Sequence, residues 1–174
     1  MGAKIHASWV DGEAFSDIWE PLREADEFVV LSCYVSPTGW ARIESFVRQR
    51  SLENSQFQAT LIFSLSGMRE NESETLISSM AKLAGDIRIG KQVHTYVMKD
   101  DSSALFHPKA HGSSAGGKTR VVVGSANLTA GGMDRNYELM TVLDDFPDSY
   151  GHPFQGRIAG GFLDSSDRGM SARE

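Results

Sequence analysis

Two short runs of β-branched and apolar residues, separated by an amphipathic segment, constrain the fold of this chain most. The runs, FVVLSCYV at 28–35 and FQATLIFSL at 57–65, have the length and composition of buried strands. Between them, Thr38 can cap a helix. Four apolar residues then recur at helical spacing: Trp40, Ile43, Phe46 and Val47. Strands joined by helices predict an α/β domain built around a sheet.

The same alternation continues towards the carboxyl terminus. Asn71 and Glu74 have the spacing of a capping box, and Gly85 is placed to end the helix that follows. The apolar positions of that helix are Leu76, Ile77, Met80, Leu83 and Ala84. Further strands are predicted at 93–98, 105–111, 119–123 and 137–143. This order of elements favours a mixed β-sheet flanked by helices in α/β/α layers.

Apolar spacing predicts two more helices near the ends of the chain. One carries Phe15, Ile18, Trp19 and Leu22, and the other carries Phe154, Ile158 and Phe162. The chain has 174 residues, about the length of one domain. We therefore expect a single domain over 1–164, followed by a polar carboxyl-terminal tail over 165–174.

Composition excludes several classes of protein. Cys33 is the one cysteine, so an internal disulfide and most cysteine metal sites are excluded. The net charge of −6 argues against sequence-blind coating of nucleic acid, although a local basic groove is compatible with it. No apolar run approaches the roughly 20 residues that span a bilayer. The first residues do not resemble a secretory signal. The expected setting is cytoplasmic, without membrane contact.

The segment FHPKAH at 106–111 is the first candidate for chemistry. In a strand, His107, Lys109 and His111 would point to the same face. A lysine beside a histidine is a poor core element but suits phosphate handling, because lysine supplies fixed charge and histidine can be a nucleophile or an acid. Lys109 places a cation at the centre of this face, and the stretch from 110 to 133 contains no carboxylate. Both features argue against a metal site.

A second candidate segment follows the apolar strand that ends at Val123. Gly124, Ser125 and Asn127 bring a hydroxyl and an amide to the end of that strand, where ligands gather in open α/β sheets. Glu138 is the nearest downstream carboxylate on a strand and could hold the second ring nitrogen of a catalytic histidine. Asp134, in the preceding loop, is the alternative.

Together these residues resemble the phospholipase D superfamily, in particular its metal-independent, restriction-type endonucleases. The matching motifs are His-x-Lys at 107–109 and Gly-Ser-x-x-Asn at 124–127, followed by Gly132, Asn136 and Glu138. Asn127 follows His107 by 20 residues, a spacing similar to that of the family. The family motif has an aspartate where this chain has Ser114. His111 also departs from it. One interpretation is that His111 assists phosphate binding, but we favour a solvated side chain at the strand's end, as for most single polar strand residues.

The resemblance implies a family half-domain with one catalytic motif, completed by a second copy in a homodimer. His107 would attack phosphorus and form a phosphohistidine, while the partner's His107 would protonate the leaving oxygen. Lys109 and Asn127 would hold the phosphoryl oxygens, Glu138 would orient the imidazole, and Gly124, Ser125 and Asn136 would line the substrate cradle. Four basic residues are candidates for further phosphate contacts, with solvated surface charge as the open alternative: Arg69, Lys118, Arg120 and Arg135. Neither a metal nor another cofactor is implied.

The leading hypothesis is a DNA endonuclease, with DNA favoured over RNA. A nuclease without a visible targeting domain needs its specificity from elsewhere, so a separate recognition or ATPase subunit and a setting in restriction or phage defence are expected. Two alternatives stay open. One is a lipid phosphodiesterase or transferase, and the other is a nonenzymatic binding or assembly module on the same fold.

Overall fold

The computed structural model describes residues 2–8, 23–98, 105–146 and 169–171, and these form one sheet with two α-helices. The helices predicted around Phe15 and Phe154 lie outside the described residues. The elements are, in chain order, β1 (Gly2–Ser8), β2 (Glu27–Ser32), α1 (Pro37–Glu53), β3 (Gln58–Ser64), α2 (Glu70–Gly85), β4 (Val93–Met98), β5 (Lys109–Ala115), β6 (Lys118–Gly124), a π-helical turn (Gly131–Arg135), β7 (Glu138–Phe146) and β8 (Gly169–Ser171).

The described strands form a mixed sheet in the order β1-β7-β6-β5-β2-β3-β4-β8. Strands β2, β3 and β4 run parallel to one another and are joined through α1 and α2. The other neighbouring pairs are antiparallel. The predicted mixed α/β sheet is therefore confirmed. Strand β8 lies inside the segment predicted as a tail, where three residues pair with β4.

Both α-helices cover the same face of the sheet. Helix α1 buries Trp40, Ile43 and Val47 in the main core. Helix α2 adds Leu76, Met80 and Leu83 to that core. The predicted apolar stripe of α2 is confirmed except at Ile77, which is 41% exposed. A second, smaller cluster on the opposite face is built from Val29, Leu31, Ile62, Met98, Phe106, Ala110 and Val121.

Both predicted helix caps were wrong by a few residues. Helix α1 begins at Pro37, and its cap is Ser36, whose hydroxyl accepts a hydrogen bond of 3.2 Å from the Gly39 N–H. Proline suits a first helical position because its φ is already helical and it has no N–H to satisfy. Helix α2 begins at Glu70, and its capping residue, Arg69, makes no side-chain capping bond.

The candidate motifs lie at one end of the sheet, where four strands begin or end. Strands β2 and β6 end there, while β5 and β7 begin there, because each of the pairs β2–β5, β5–β6 and β6–β7 is antiparallel. No α-helix in the described part of the chain is both long and apolar enough to cross a membrane.

Candidate active site

The three candidate segments meet at this end of the sheet. Lys109, the first residue of β5, pairs with Ser32, the last residue of β2. Gly124, the last residue of β6, pairs with Met140 near the start of β7. The register thus brings together residues that are far apart in the sequence; Ser32 and Lys109 are 77 positions apart.

His107 and Lys109 lie side by side, as predicted, but His107 precedes the strand. The predicted strand at 105–111 begins only at Lys109, because Pro108 has no N–H to donate to a ladder. The Pro108 carbonyl still accepts a hydrogen bond of 2.8 Å from the Cys33 N–H. Lys109 Nζ lies 3.1 Å from His107 Nδ1. The same ammonium nitrogen lies 3.4 Å from His107 Nε2, so the positive charge of Lys109 stands directly beside the imidazole ring.

His111 does not belong to the site, and the predicted solvated position was wrong. Its side chain is 1% exposed. It lies between its cross-strand neighbours Val30 and Val122, because β5 is an interior strand of the sheet. Burial lowers the pKa of His111 to about 4, so the imidazole is neutral near pH 7. Lys109 and His111 are two residues apart in β5 and so share a face of the strand, but His111 lies deeper, in the buried interior.

The turn after β6 presents the hydroxyl and amide as predicted. Ser125 is exposed and Asn127 is half-buried. The Cys33 thiol donates a hydrogen bond of 2.9 Å to Asn127 Oδ1. Gly124 has no room for a side chain, because a Cβ there would lie 2.3 Å from the carbonyl oxygen of Leu139. A glycine at this position therefore allows β6 and β7 to approach each other where the site begins.

Glu138 contacts Ser125 and Asn136 rather than the imidazole that sequence reasoning assigned to it. The Ser125 hydroxyl donates a short hydrogen bond to one carboxylate oxygen of Glu138. The Asn136 amide donates to the other oxygen at 3.2 Å. Ser125 Oγ also accepts from the Leu139 N–H at 3.1 Å, so its proton is committed to Glu138. Within one chain, the carboxylate orients the serine.

The segment that follows Asn127 is held tightly against α1. The Leu128 carbonyl accepts a hydrogen bond of 2.9 Å from the Ser36 N–H. A Cβ at Gly39 would lie only 1.9 Å from that carbonyl oxygen, so α1 can approach only through a glycine. Gly132, in the π-helical turn, donates to Thr129 Oγ1 at 2.9 Å. These contacts fix the backbone on both sides of Asn127.

Two of the four basic residues proposed as phosphate contacts lie away from the site. Lys118 begins β6, six residues before Gly124, which is about 20 Å along an extended strand. Arg120 is nearer to Gly124 along the same strand, but its side chain forms an ion pair with Asp144. Arg135 ends the π-helical turn before β7, and Arg69 is the capping residue of α2, so both lie at the site's end of the sheet.

Two residues at the end of β2 contribute to the site, and this was not predicted from the sequence. Ser32 and Cys33 reach the site because β2 pairs with β5. Ser32 Oγ donates to the Tyr34 carbonyl at 2.7 Å and accepts from the Leu128 N–H at 3.4 Å. The position of Ser32 and Cys33 at the end of a parallel strand was the signal that could have placed them in the site. Within the described ranges, no three His, Cys, Asp or Glu side chains are grouped closely enough to hold a metal ion.

Solved structures share this architecture at low sequence identity. Nuc, a phospholipase D family member from Salmonella typhimurium, has a TM-score of 0.64 at 13% identity, with 99% of this chain and 100% of Nuc covered. NucT from Helicobacter pylori has a TM-score of 0.65 at 13% identity, with 98% of each chain covered.

A third similar structure is the phosphatidylserine synthase of Haemophilus influenzae. Its TM-score is 0.66 at 10% identity, and the match covers 99% of this chain and 40% of the synthase. No protein-family model matches the sequence, and no curated protein matches it significantly. The sheet order and the near-complete coverage of Nuc and NucT show that this chain has the phospholipase D-like fold.

Proposed function

We propose that this chain is a metal-independent phosphodiesterase that cleaves DNA through a phosphohistidine intermediate. The observation that carries the proposal is the pairing of His107 with Lys109 at the same end of the sheet as Ser125 and Asn127. A histidine nucleophile beside a fixed cation and an amide donor can form a bond to phosphorus and stabilise the negative charge that develops on its oxygens. The phospholipase D-like fold supports this chemistry by analogy.

The reaction proceeds in two steps. A ring nitrogen of His107 attacks phosphorus, an N–P bond forms, and the P–O bond to the leaving group breaks. A second imidazole protonates the leaving oxygen and then removes a proton from the water that cleaves the N–P bond. Lys109 and Asn127 hold the nonbridging oxygens while negative charge develops on them. Fixed protein charges fill the role that a metal has in other phosphodiesterases.

The second imidazole comes from a second copy of the chain in this proposal. One chain contributes a single His-x-Lys pair, whereas the two steps need a nucleophile and a separate acid at one phosphorus. A two-fold axis supplies both from identical chains. Val123 and Leu139 support such an interface, because these apolar side chains beside Ser125 are 46% and 59% exposed. A second copy seated on this end of the sheet would cover them.

The residues around Glu138 shape the cradle. Glu138 accepts a hydrogen bond from the Ser125 hydroxyl and so fixes Ser125 in the turn that also carries Asn127. Asn136 secures the other carboxylate oxygen, and Gly124 lets the two strands converge. We include Ser125, Gly124 and Asn136 among the substrate-binding positions for this reason. A role for Glu138 at an imidazole would require the histidine of the second copy.

DNA is the preferred substrate in this proposal, because the motif spacing resembles that of restriction-type endonucleases. We extend the proposal to a setting in restriction or phage defence, in which a separate recognition or ATPase subunit would supply sequence specificity. A phosphatidyl group is the second candidate substrate, because the phosphatidylserine synthase of Haemophilus influenzae shares the fold at a TM-score of 0.66.

The deciding experiment compares substrates in excess chelator. Supercoiled plasmid, single-stranded DNA, RNA and phosphatidylcholine vesicles are each incubated with the wild-type protein and with His107→Ala. The proposal expects nicking of DNA that persists in chelator and disappears in the variant. Activity that vanishes in chelator and returns with magnesium would reject it. Hydrolysis of vesicle lipid with DNA left intact would establish the second candidate instead.

A further inference from the structure

Cys33, the residue directly after β2, contacts both motifs of the candidate site. Its backbone N–H donates to the Pro108 carbonyl at 2.8 Å, inside the His-x-Lys segment. Its thiol donates to Asn127 Oδ1 at 2.9 Å, inside the Gly-Ser-x-x-Asn segment. The side chain is only 8% exposed, so it acts from behind the site and does not face the substrate.

The direction of the thiol bond matters for what Asn127 can do. Phosphate oxygens only accept hydrogen bonds, so Asn127 must present its NH₂ group to them and keep its carbonyl oxygen away. An unrestrained amide could present either end. A thiol that donates to Oδ1 leaves Nδ2 on the opposite side of the amide, free to face the phosphoryl group. The Cys33 thiol thereby selects the productive orientation.

We propose that Cys33 is a positioning residue that sets the amide of Asn127 for phosphoryl transfer. This inference rests on the proposed phosphodiesterase function. It adds a role for a residue that touches neither the substrate nor the histidine. The thiol must stay protonated and reduced to perform it, because a thiolate or a disulfide has no S–H to donate.

The backbone around Asn127 is held independently of this thiol. Ser32 Oγ accepts from the Leu128 N–H, and Ser36 N–H donates to the Leu128 carbonyl. Removing the thiol should therefore release the Asn127 side chain while its loop keeps its place. That separation makes a kinetic test informative, since a general collapse of the loop is not expected.

The kinetic test uses hydrolysis of bis(4-nitrophenyl) phosphate. Cys33→Ala should lower kcat about tenfold with little change in KM, and Cys33→Ser, which retains a donor, should recover most of the loss. Ile43→Val, a buried change in α1 that removes no polar group, controls for lowered stability. Wild-type kcat in Cys33→Ala would overturn the proposal, as would a loss in Cys33→Ser as large as in Cys33→Ala. An inactive wild-type protein would instead reject the proposed function.

A spectroscopic test examines the contact without any turnover. Cys33 is the only cysteine, so the protein has a single S–H stretching band. Hydrogen bonding lowers the frequency of that band. Asn127→Leu should shift it to higher frequency, whereas Ser125→Ala, a matched change two residues away, should leave it in place. An unchanged band in Asn127→Leu would overturn the proposal even if Cys33→Ala lowers activity or fails to fold.

Discussion

Gly132 lies directly against the backbone of Asn127. A Cβ at Gly132 would lie 2.4 Å from the Asn127 carbonyl oxygen and 3.0 Å from its amide nitrogen. Both atoms belong to the main chain, so the contact cannot be relieved by rotating a side chain. The position of the proposed phosphate-binding amide therefore depends on the missing side chain at Gly132.

Substituting this glycine should displace the site. Gly132→Ala is expected to cost about 1–3 kcal/mol of the free energy of unfolding, because a close-packed contact is overfilled. The shift of Asn127 should lower kcat about 100-fold. Steady-state kinetics and urea unfolding measure the two effects. Gly85→Ala is the matched control, since a Cβ there meets nothing within 4 Å. Equal activity in the two variants would contradict the packing argument.

The contacts of Glu138 give a second prediction. Its carboxylate accepts from Ser125 and from Asn136, so Glu138→Gln must place an NH₂ group against one of these donors. We expect kcat to fall about 10- to 100-fold while the melting temperature changes little. Glu53→Gln, an exposed change on α1, should behave like the wild-type protein. A wild-type rate in Glu138→Gln would show that the Ser125 hydroxyl needs no charged partner.

Local sequence patterns predicted the strands and helices well, because burial of one face imposes a periodic pattern of apolar residues on each element. Phe28, Leu61 and Met80 are buried in the core as their patterns indicated. The assembly of the site also followed from the motifs, because both stand where neighbouring strands end or begin.

What local patterns could not supply is the order of strands in the sheet. Strand β5 inserts between β2 and β6, and this places His111 in the interior although its own segment looks polar. The same insertion brings Cys33 to Asn127, residues 94 positions apart. The partner choice of Glu138 likewise depends on the pairing of β6 with β7. Long-range pairing therefore accounts for the three main differences between expectation and structure.

The buried His111 predicts that acid destabilises the fold. Its pKa is about 4 in the folded chain, whereas an exposed histidine has a pKa of 6.5. Between these values the unfolded state binds more protons. Stability is therefore complete above about pH 6.5 and falls as the pH drops towards about 4. The loss can reach about 3 kcal/mol.

Urea unfolding at about pH 4.5 and about pH 7.5 measures this dependence. His111→Leu should reduce the difference between the two pH values, because leucine binds no proton in either state. The same pH difference in wild-type and His111→Leu proteins would contradict the assignment. His111→Leu is also expected to keep its activity at neutral pH, because the side chain lies outside the site.

The proposed shared site predicts how mixed dimers behave. Wild-type chains are exchanged with increasing excess of His107→Ala chains. Each hybrid dimer would hold one of the two required imidazoles, so activity should fall faster than the fraction of wild-type chains. Sedimentation at the assay concentration reports the oligomeric state. A strictly linear loss, or full activity from a monomeric chain, would argue for a site complete within one chain.

The most direct measurement looks for the covalent intermediate. The wild-type protein is mixed with bis(4-nitrophenyl) phosphate in excess chelator, quenched rapidly under alkaline denaturing conditions and digested for mass spectrometry. If His107 is the nucleophile, the peptide that contains it should gain one 4-nitrophenyl phosphoryl group as 4-nitrophenolate is released. His107→Ala should show neither the adduct nor turnover. An adduct on another residue, or wild-type turnover by His107→Ala, would contradict the mechanism.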